Sequence, residues 1–172
     1  MGAVVSQQEL VLIRRRLRRQ GRIVVFTNGT FDILHRGHVE YLAAARALGD
    51  VLFVGLNTDA SIRRIKGEKR PINGNRDRAS VLAALACVDY ICFFGSDTPL
   101  RIIERLLPDV IVKGADWKKE AIVGADVVEN HGGVVKRVRL TAGRSTTNVI
   151  KRILRAYGGQ PSGRARHGGA GC

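Results

Sequence analysis

Cysteine is scarce in this chain: Cys87, Cys92 and Cys172 are the three in 172 residues. The count is odd, and no CxxC pair or Cys/His cluster stands at metal-ligand spacing, which argues against a disulfide framework or a zinc site. The apolar surroundings of Cys87 and Cys92 fit buried, reduced thiols in a reducing compartment. Aromatic residues make up only 5%, too few for a stacking platform that would carry single-stranded nucleic acid. No apolar run approaches the ~20 residues that span a bilayer. The N-terminus has no apolar core followed by a small-residue cleavage site, so the expected address is cytoplasmic. Acidic residues are few as well, 15 against 29 Lys and Arg, leaving a net charge of +14. Such a balance attracts polyanions, whether nucleic acid, an anionic membrane or phosphorylated small molecules. The basic residues are densest at 14–19, 63–70, 136–144 and 151–166.

The length suits one globular domain. Leu10, Ile13 and Leu17 share a face of a helix expected over 6–20. Short apolar runs at 23–26, 51–56, 90–94, 110–112 and 134–135 read as five strands. Helices are expected between them, at 39–48, 76–86, 98–107 (Thr98 as cap, Pro99 in the first turn) and near 124–131. The segment 57–74, polar and basic with Pro71 and Gly74, reads as a loop. A last helix begins near Ser145, with Val149, Ile150, Ile153, Leu154 and Tyr157 on one side. Strands nearly continuous in apolar residues, alternating with helices, imply a parallel sheet covered on both faces. Ligands in such folds lie beyond the C-terminal strand ends, at the switch in strand order. The expected organisation is an N-terminal helical extension at 1–21, a catalytic domain at 22–157 and a disordered basic Gly-rich tail at 158–172.

The stretch from Thr27 to His38 carries the chemistry. His35 and His38 flank Gly37 at the mouth of a helix, directly after a buried strand. A helix N-terminus offers free N–H groups and partial positive charge to a phosphate. Gly37 allows close approach, and imidazole N–H groups can stabilise charge building on a leaving pyrophosphate. A metal reading of the two histidines lacks a suitable third ligand, so no metal site is read. Asp32 fits equally as a cap of the loop or as a ligand. Far along the chain, Arg144-Ser145-Thr146-Thr147 opens the last helix with more hydroxyls than a cap requires, making a second anion cradle. One lysine of the basic run 63–70 neutralises a triphosphate if that run folds over the site. One of Arg76 and Arg78 is placed to face the site, and the sequence leaves open which. Lys113-Gly114-Ala115-Asp116-Trp117 follows the fourth of the five strands and so lies at the ligand edge. Trp117 fits either a lid or a half-buried surface aromatic.

Gly29-Thr30-Phe31-Asp32-x-Leu34-His35-x-Gly37-His38, with the late Ser145-Thr146-Thr147, resembles the cytidylyltransferase-like nucleotidyltransferases, which implies one Rossmann-like α/β domain. The likeness is greater to the adenylyltransferase part of bacterial ADP-heptose synthases. It runs from about Ile23 to Ile153 and includes Leu48-Gly49-Asp50, Lys66-Gly67, Arg70-Pro71-Ile72-Asn73, Leu107-Pro108-Asp109, Val112-Lys113-Gly114 and His131-Gly132-Gly133. It implies transfer of AMP from ATP to D-glycero-β-D-manno-heptose 1-phosphate, with Mg²⁺, giving ADP-heptose for lipopolysaccharide. A homodimer is expected on the same ground. The sugar kinase often fused to such enzymes is then expected on a separate protein. The likeness gives catalytic roles to His35, His38, Lys66 and Arg78. Nucleotide contacts fall to Thr30, Phe31, His35, Gly37, His38, Gly114, Arg144, Ser145, Thr146 and Thr147. The acceptor side falls to Asn28, Asp32, Lys66, Asp116 and Trp117. Cytidylyltransferases carry Arg-Thr-Glu-Gly before the hydroxyl motif. Here Leu140-Thr141-Ala142-Gly143 stands there, without that arginine unless Arg139 or Arg144 replaces it. A cytidylyltransferase of a polyol or alcohol phosphate is the second reading, and a basic nucleic-acid-binding domain the third.

Overall fold

A computed structural model describes residues 1–139, 141 and 143–158. The expected tail lies, apart from Gly158, outside the described residues. Apolar runs form a parallel sheet in the order β1-β4-β3-β2-β5-β6, with β1 at Ala3–Val4, β2 at Val24–Gly29, β3 at Val51–Asn57, β4 at Tyr90–Phe94, β5 at Val110–Gly114 and β6 at Val134–Val138. The sheet thus has six strands, not the five expected. The missed one is two residues long and joins the edge, Ala3 opposite Tyr90 and Val4 opposite Ile91. Two residues are too short to show an alternation, so no periodicity marks them.

Successive strand residues point to opposite faces. Val25, Leu52, Val54, Leu56 and Val112 pack on one face with Leu42 and Ala45 of α2 (Arg36–Arg46) and Leu82 of α4 (Asn75–Ala83). Val24, Phe26, Phe53 and Ile111 pack on the other with Leu10 and Leu17 of α1 (Gln7–Arg19), Ile103 and Leu106 of α5 (Leu100–Leu106) and Val128 of α6 (Ala125–Asn130). The first 21 residues thus supply both an edge strand and a helix whose Leu10 is fully buried. Cys92 lies in this second layer, and burial pushes its thiol up to about 12.

Part of the expected 57–74 loop is α3 (Asp59–Lys66), started by Thr58, whose hydroxyl accepts from Ser61 N at 3.3 Å. Ile62 is its one buried apolar side chain, too little for the apolar pattern to register. Helix α2 begins three residues before its expected start at Val39, because His35 takes the extended N-cap position.

The N-terminal strand ends are closed by aspartates. Asp50 accepts from Ile23 N at 2.8 Å, Asp89 from Leu52 N at 2.7 Å, and Asp109 from Val24 N at 2.7 Å. Arg14 of α1 joins Asp109 at 2.8 Å, and Arg46 of α2 joins Asp89 at 2.8 Å. Among the described residues no aspartate closes the C-terminal ends of β2 and β5 in this way. Strand order reverses at β2, which lies between β3 and β5, so the crevice opens there. Because α1 is part of the core, Leu10→Ala should lower unfolding free energy by about 3 kcal/mol, the usual scale for emptying a buried leucine site. Urea denaturation of the two proteins measures this difference.

Candidate active site

A cleft of about 630 Å³ opens over the C-terminal ends of β2 and β5. Its floor begins at Asn28 and Gly29, where β2 ends. The next residues, Thr30 to Leu34, turn sharply. Phe31 adopts φ +42°, a conformation costly for a bulky side chain. Hydrogen bonds on both sides of it hold the turn. Arg78 Nη1 donates to Thr30 O at 2.7 Å, and Asn73 Nδ2 donates to Asp32 O at 2.7 Å. Asp32 accepts from Asn73 N at 2.8 Å, Ile72 N at 2.9 Å and Arg70 Nε at 2.6 Å. Burial alone would raise its pKa, but these donors outweigh burial and hold it below the ordinary carboxylate range.

The held turn aims Phe31 edge-on at His38, with ring centroids 5.3 Å apart. His35 and His38 stack, their rings 3.9 Å apart and 17° from parallel. His35 occupies the N-cap position of α2 without a capping side-chain bond, which leaves its ring for the cleft. The Nδ1 atoms of both rings are buried without a hydrogen-bond partner among the described residues. Burial, reinforced by Arg144 near His35, pushes the pKa of His35 down. Burial, reinforced by the His35 charge, pushes His38 down to about 4. At neutral pH both rings are therefore neutral, each offering one N–H.

The second anion cradle reaches the same cleft. Ser145 caps α7 (Thr146–Tyr157), accepting from Asn148 N at 3.1 Å. Two contacts bring this helix start to α2. The Thr141 hydroxyl hydrogen-bonds the Glu40 carboxylate of α2. A Cβ at Gly37 would lie 3.1 Å from Arg144 Cβ and 3.1 Å from His35 Nδ1, so a larger residue would be tight against both and at least one of them would have to shift. Arg144, Ser145 and Thr146 line the cleft together with His35, Gly37 and His38.

Thirteen of the residues expected at the site therefore line one cleft: Asn28, Thr30, Phe31, His35, Gly37, His38, Lys66, Gly114, Asp116, Trp117, Arg144, Ser145 and Thr146. Three do not. Asp32, 2% exposed, clamps the 70–73 loop, the capping role weighed above. Arg78, also 2% exposed, lies behind the cleft wall. Its donors go to Asn73 O, Thr30 O, Asn57 O, Asp59 and Asn75. Its guanidinium is thus turned toward acceptors of the fold rather than into the cleft. Thr147 is exposed on α7, outside the cleft. The sequence reading missed Tyr41, whose hydroxyl pairs with Thr27 Oγ1 at 2.7 Å and donates to Val112 O at 2.9 Å, tying α2 to β2 and β5. Lys113, expected at the ligand edge without a role of its own, also lines the cleft.

Among the described residues, no group of three or more His, Cys, Asp or Glu side chains is placed to cage a metal ion. The cleft carboxylates are Asp97 and Asp116. One or two carboxylates suit a Mg²⁺ that arrives on substrate phosphates and keeps most of its waters. No helix of the described residues is long and apolar enough to cross a membrane.

Comparison with known proteins agrees with this geometry. The family model described as cytidylyltransferase-like matches residues 26–152. The bifunctional protein HldE of Geobacter metallireducens is 59% identical over 139 residues, which is 81% of this chain and 28% of that protein. The HldE of Campylobacter concisus is 58% identical over 130 residues, 76% of this chain and 27% of that protein. The chain thus spans less than a third of the length of these relatives. The crystal structure of a lipopolysaccharide core biosynthesis protein from Thermoplasma volcanium superposes with a TM-score of 0.58 at 32% identity, covering 70% of this chain and 98% of that one.

The histidine environment has a consequence for stability. Between about pH 6.5 and pH 4 the unfolded chain protonates His38 while the folded chain does not. The unfolded state binds more protons in this window, so stability falls as pH falls through it. His38→Asn should lose less stability than the wild type between pH ~7 and pH ~5. Urea denaturation at the two pH values checks this, and equal losses would contradict it.

Proposed function

The chain belongs to the cytidylyltransferase-like family of nucleotidyltransferases, and from that premise we propose that it transfers AMP from ATP to D-glycero-β-D-manno-heptose 1-phosphate, releasing pyrophosphate. One observation carries the chemical half of this reading: the His35/His38 pair and the Arg144–Thr146 segment open two helix N-termini into one cleft. Such a cleft suits a triphosphate, whose charge both helix ends and the N–H donors favour. The acceptor half is supported by the run of shared motifs from Ile23 to Ile153, by the HldE relatives and by the lipopolysaccharide core protein.

In the proposed reaction the β- and γ-phosphates lie against Arg144, Thr146 and the first turn of α2. The sugar phosphate oxygen attacks the α-phosphorus in line, and the α–β bridging oxygen leaves with pyrophosphate. Neutral imidazole donors at His35 and His38 strengthen their bonds as that oxygen gains charge. Lys66, on the cleft rim, adds a cation between the phosphates. Positioning and charge stabilisation suffice for such a displacement, and no protein nucleophile takes part. Mg²⁺, carried on ATP and faced by Asp116, neutralises phosphate charge when bound. A homodimer belongs to the same proposal, and light scattering of the purified chain tests it.

The deciding assay is pyrophosphate release with a panel of NTPs against heptose 1-phosphate. ATP should support turnover and CTP should not; preference for CTP with a polyol phosphate would favour the second reading. In the same assay His35→Ala and His38→Ala should each lower kcat by ~10²-fold or more, the scale of losing a transition-state donor. Near-normal turnover in both variants would remove the histidines from the mechanism.

A further inference from the structure

We propose that Lys113 forms a separate acceptor subsite, its ammonium holding the phosphate that attacks while the helix N-termini hold the triphosphate. The inference rests on the nucleotidyltransferase reading and adds to it a residue and a division of the cleft.

The placement of Lys113 is costly without a ligand. It lies in β5 after Val110, Ile111 and Val112, all buried, and is itself partly buried in the cleft floor. Taking an ammonium out of water is unfavourable unless a partner replaces the water. Among the described residues its hydrogen bonds go to Asn28 alone, at 2.5 Å to Oδ1 and 3.5 Å to the backbone carbonyl. The Trp117 ring stands 5.7 Å away. These partners are all neutral. Asp116 favours the charged form but makes no ion pair with it. Burial prevails over Asp116 and draws the ammonium down to about 8. An ammonium has three donors, and Asn28 leaves at least one for the cleft.

The position also separates this cation from the triphosphate cradle. Phe26 pairs with Ile111 across β2 and β5, which sets Asn28 beside Lys113 at the strand reversal. The triphosphate donors, by contrast, sit on the starts of α2 and α7. An attacking phosphate must approach a phosphate chain of the same sign. A desolvated cation on the approach side offsets that repulsion, and partial burial makes its field stronger than that of the exposed Lys66.

The test uses inorganic phosphate as the probe, so it does not depend on which sugar is the substrate. The protein is saturated with a non-hydrolysable ATP analogue and Mg²⁺, and phosphate is titrated in by calorimetry. Lys113→Met should weaken phosphate by ~10-fold or more, the scale of one charged hydrogen bond. Its affinity for the analogue should change by less than ~2-fold. Lys113→Arg should restore most of the phosphate affinity. Phosphate binding to the wild type should weaken as pH rises through about 8, and this limb should vanish in Lys113→Arg. The other groups facing this part of the cleft are Asp116, Lys66, Arg144, Tyr41 and the two histidines. Burial leaves the histidines below this pH range and Tyr41 above it, at about 12. Unchanged phosphate affinity in Lys113→Met overturns the proposal. So does an equal loss of analogue affinity, which would place Lys113 on the triphosphate, and so does a wild type that binds no phosphate beside the analogue. A purely structural role would lower the melting temperature of Lys113→Met without touching phosphate affinity. Failure of the heptose reading shows separately, as absent wild-type turnover with heptose 1-phosphate.

Discussion

Two helices start side by side over the same strand edge, and the site depends on their being held there. Helix N-termini carry like partial charges, so their approach is unfavourable until an anion sits between them. The protein holds them together before any ligand arrives. Glu40 on α2 takes the Thr141 hydroxyl from the segment leading into α7, and Gly37 lets Arg144 pack against the first turn of α2. The lowered pKa values of His35 and His38 come first from burial at this junction, with Arg144 adding to it at His35 and His35 adding to it at His38.

The rest of the fold keeps one edge of the sheet closed and the other open. Asp50, Asp89 and Asp109 satisfy strand N–H groups at the bottom, and two arginines lock Asp89 and Asp109 to α2 and α1. At the top, the chain leaves β2 through the left-handed Phe31. That turn persists because Arg78 and Asp32 fasten it to the 70–75 segment. Both are charged, both are buried and neither lines the cleft. They act by fixing the backbone that presents Phe31 and the histidines.

Much of this was legible in the sequence. The apolar runs marked five strands because buried parallel strands need apolar residues on both faces, and the two-histidine loop followed the first of them. Ser145 was readable as a cap because its hydroxyl is the usual partner of a first-turn N–H. What escaped had physical causes. Ala3–Val4 gains strand character only from pairing with β4, which no local pattern records. Helix α3 buries too narrow a face for its period to show. Arg78 carried the signature of an anion-binding residue, since a guanidinium suits phosphate and backbone carbonyls alike. Only the fold determines which it meets. Lys113 stood in plain view within a quoted motif, but a lysine at a strand end acquires meaning only once Asn28 is known to lie beside it.

The central claim is that segments more than a hundred residues apart close on one triphosphate. A crystal structure with a non-hydrolysable ATP analogue and Mg²⁺ tests it directly. The account predicts phosphate oxygens within hydrogen-bonding reach of both His38 and Thr146. An analogue whose phosphates lie elsewhere, leaving the starts of α2 and α7 without an anion, would contradict it.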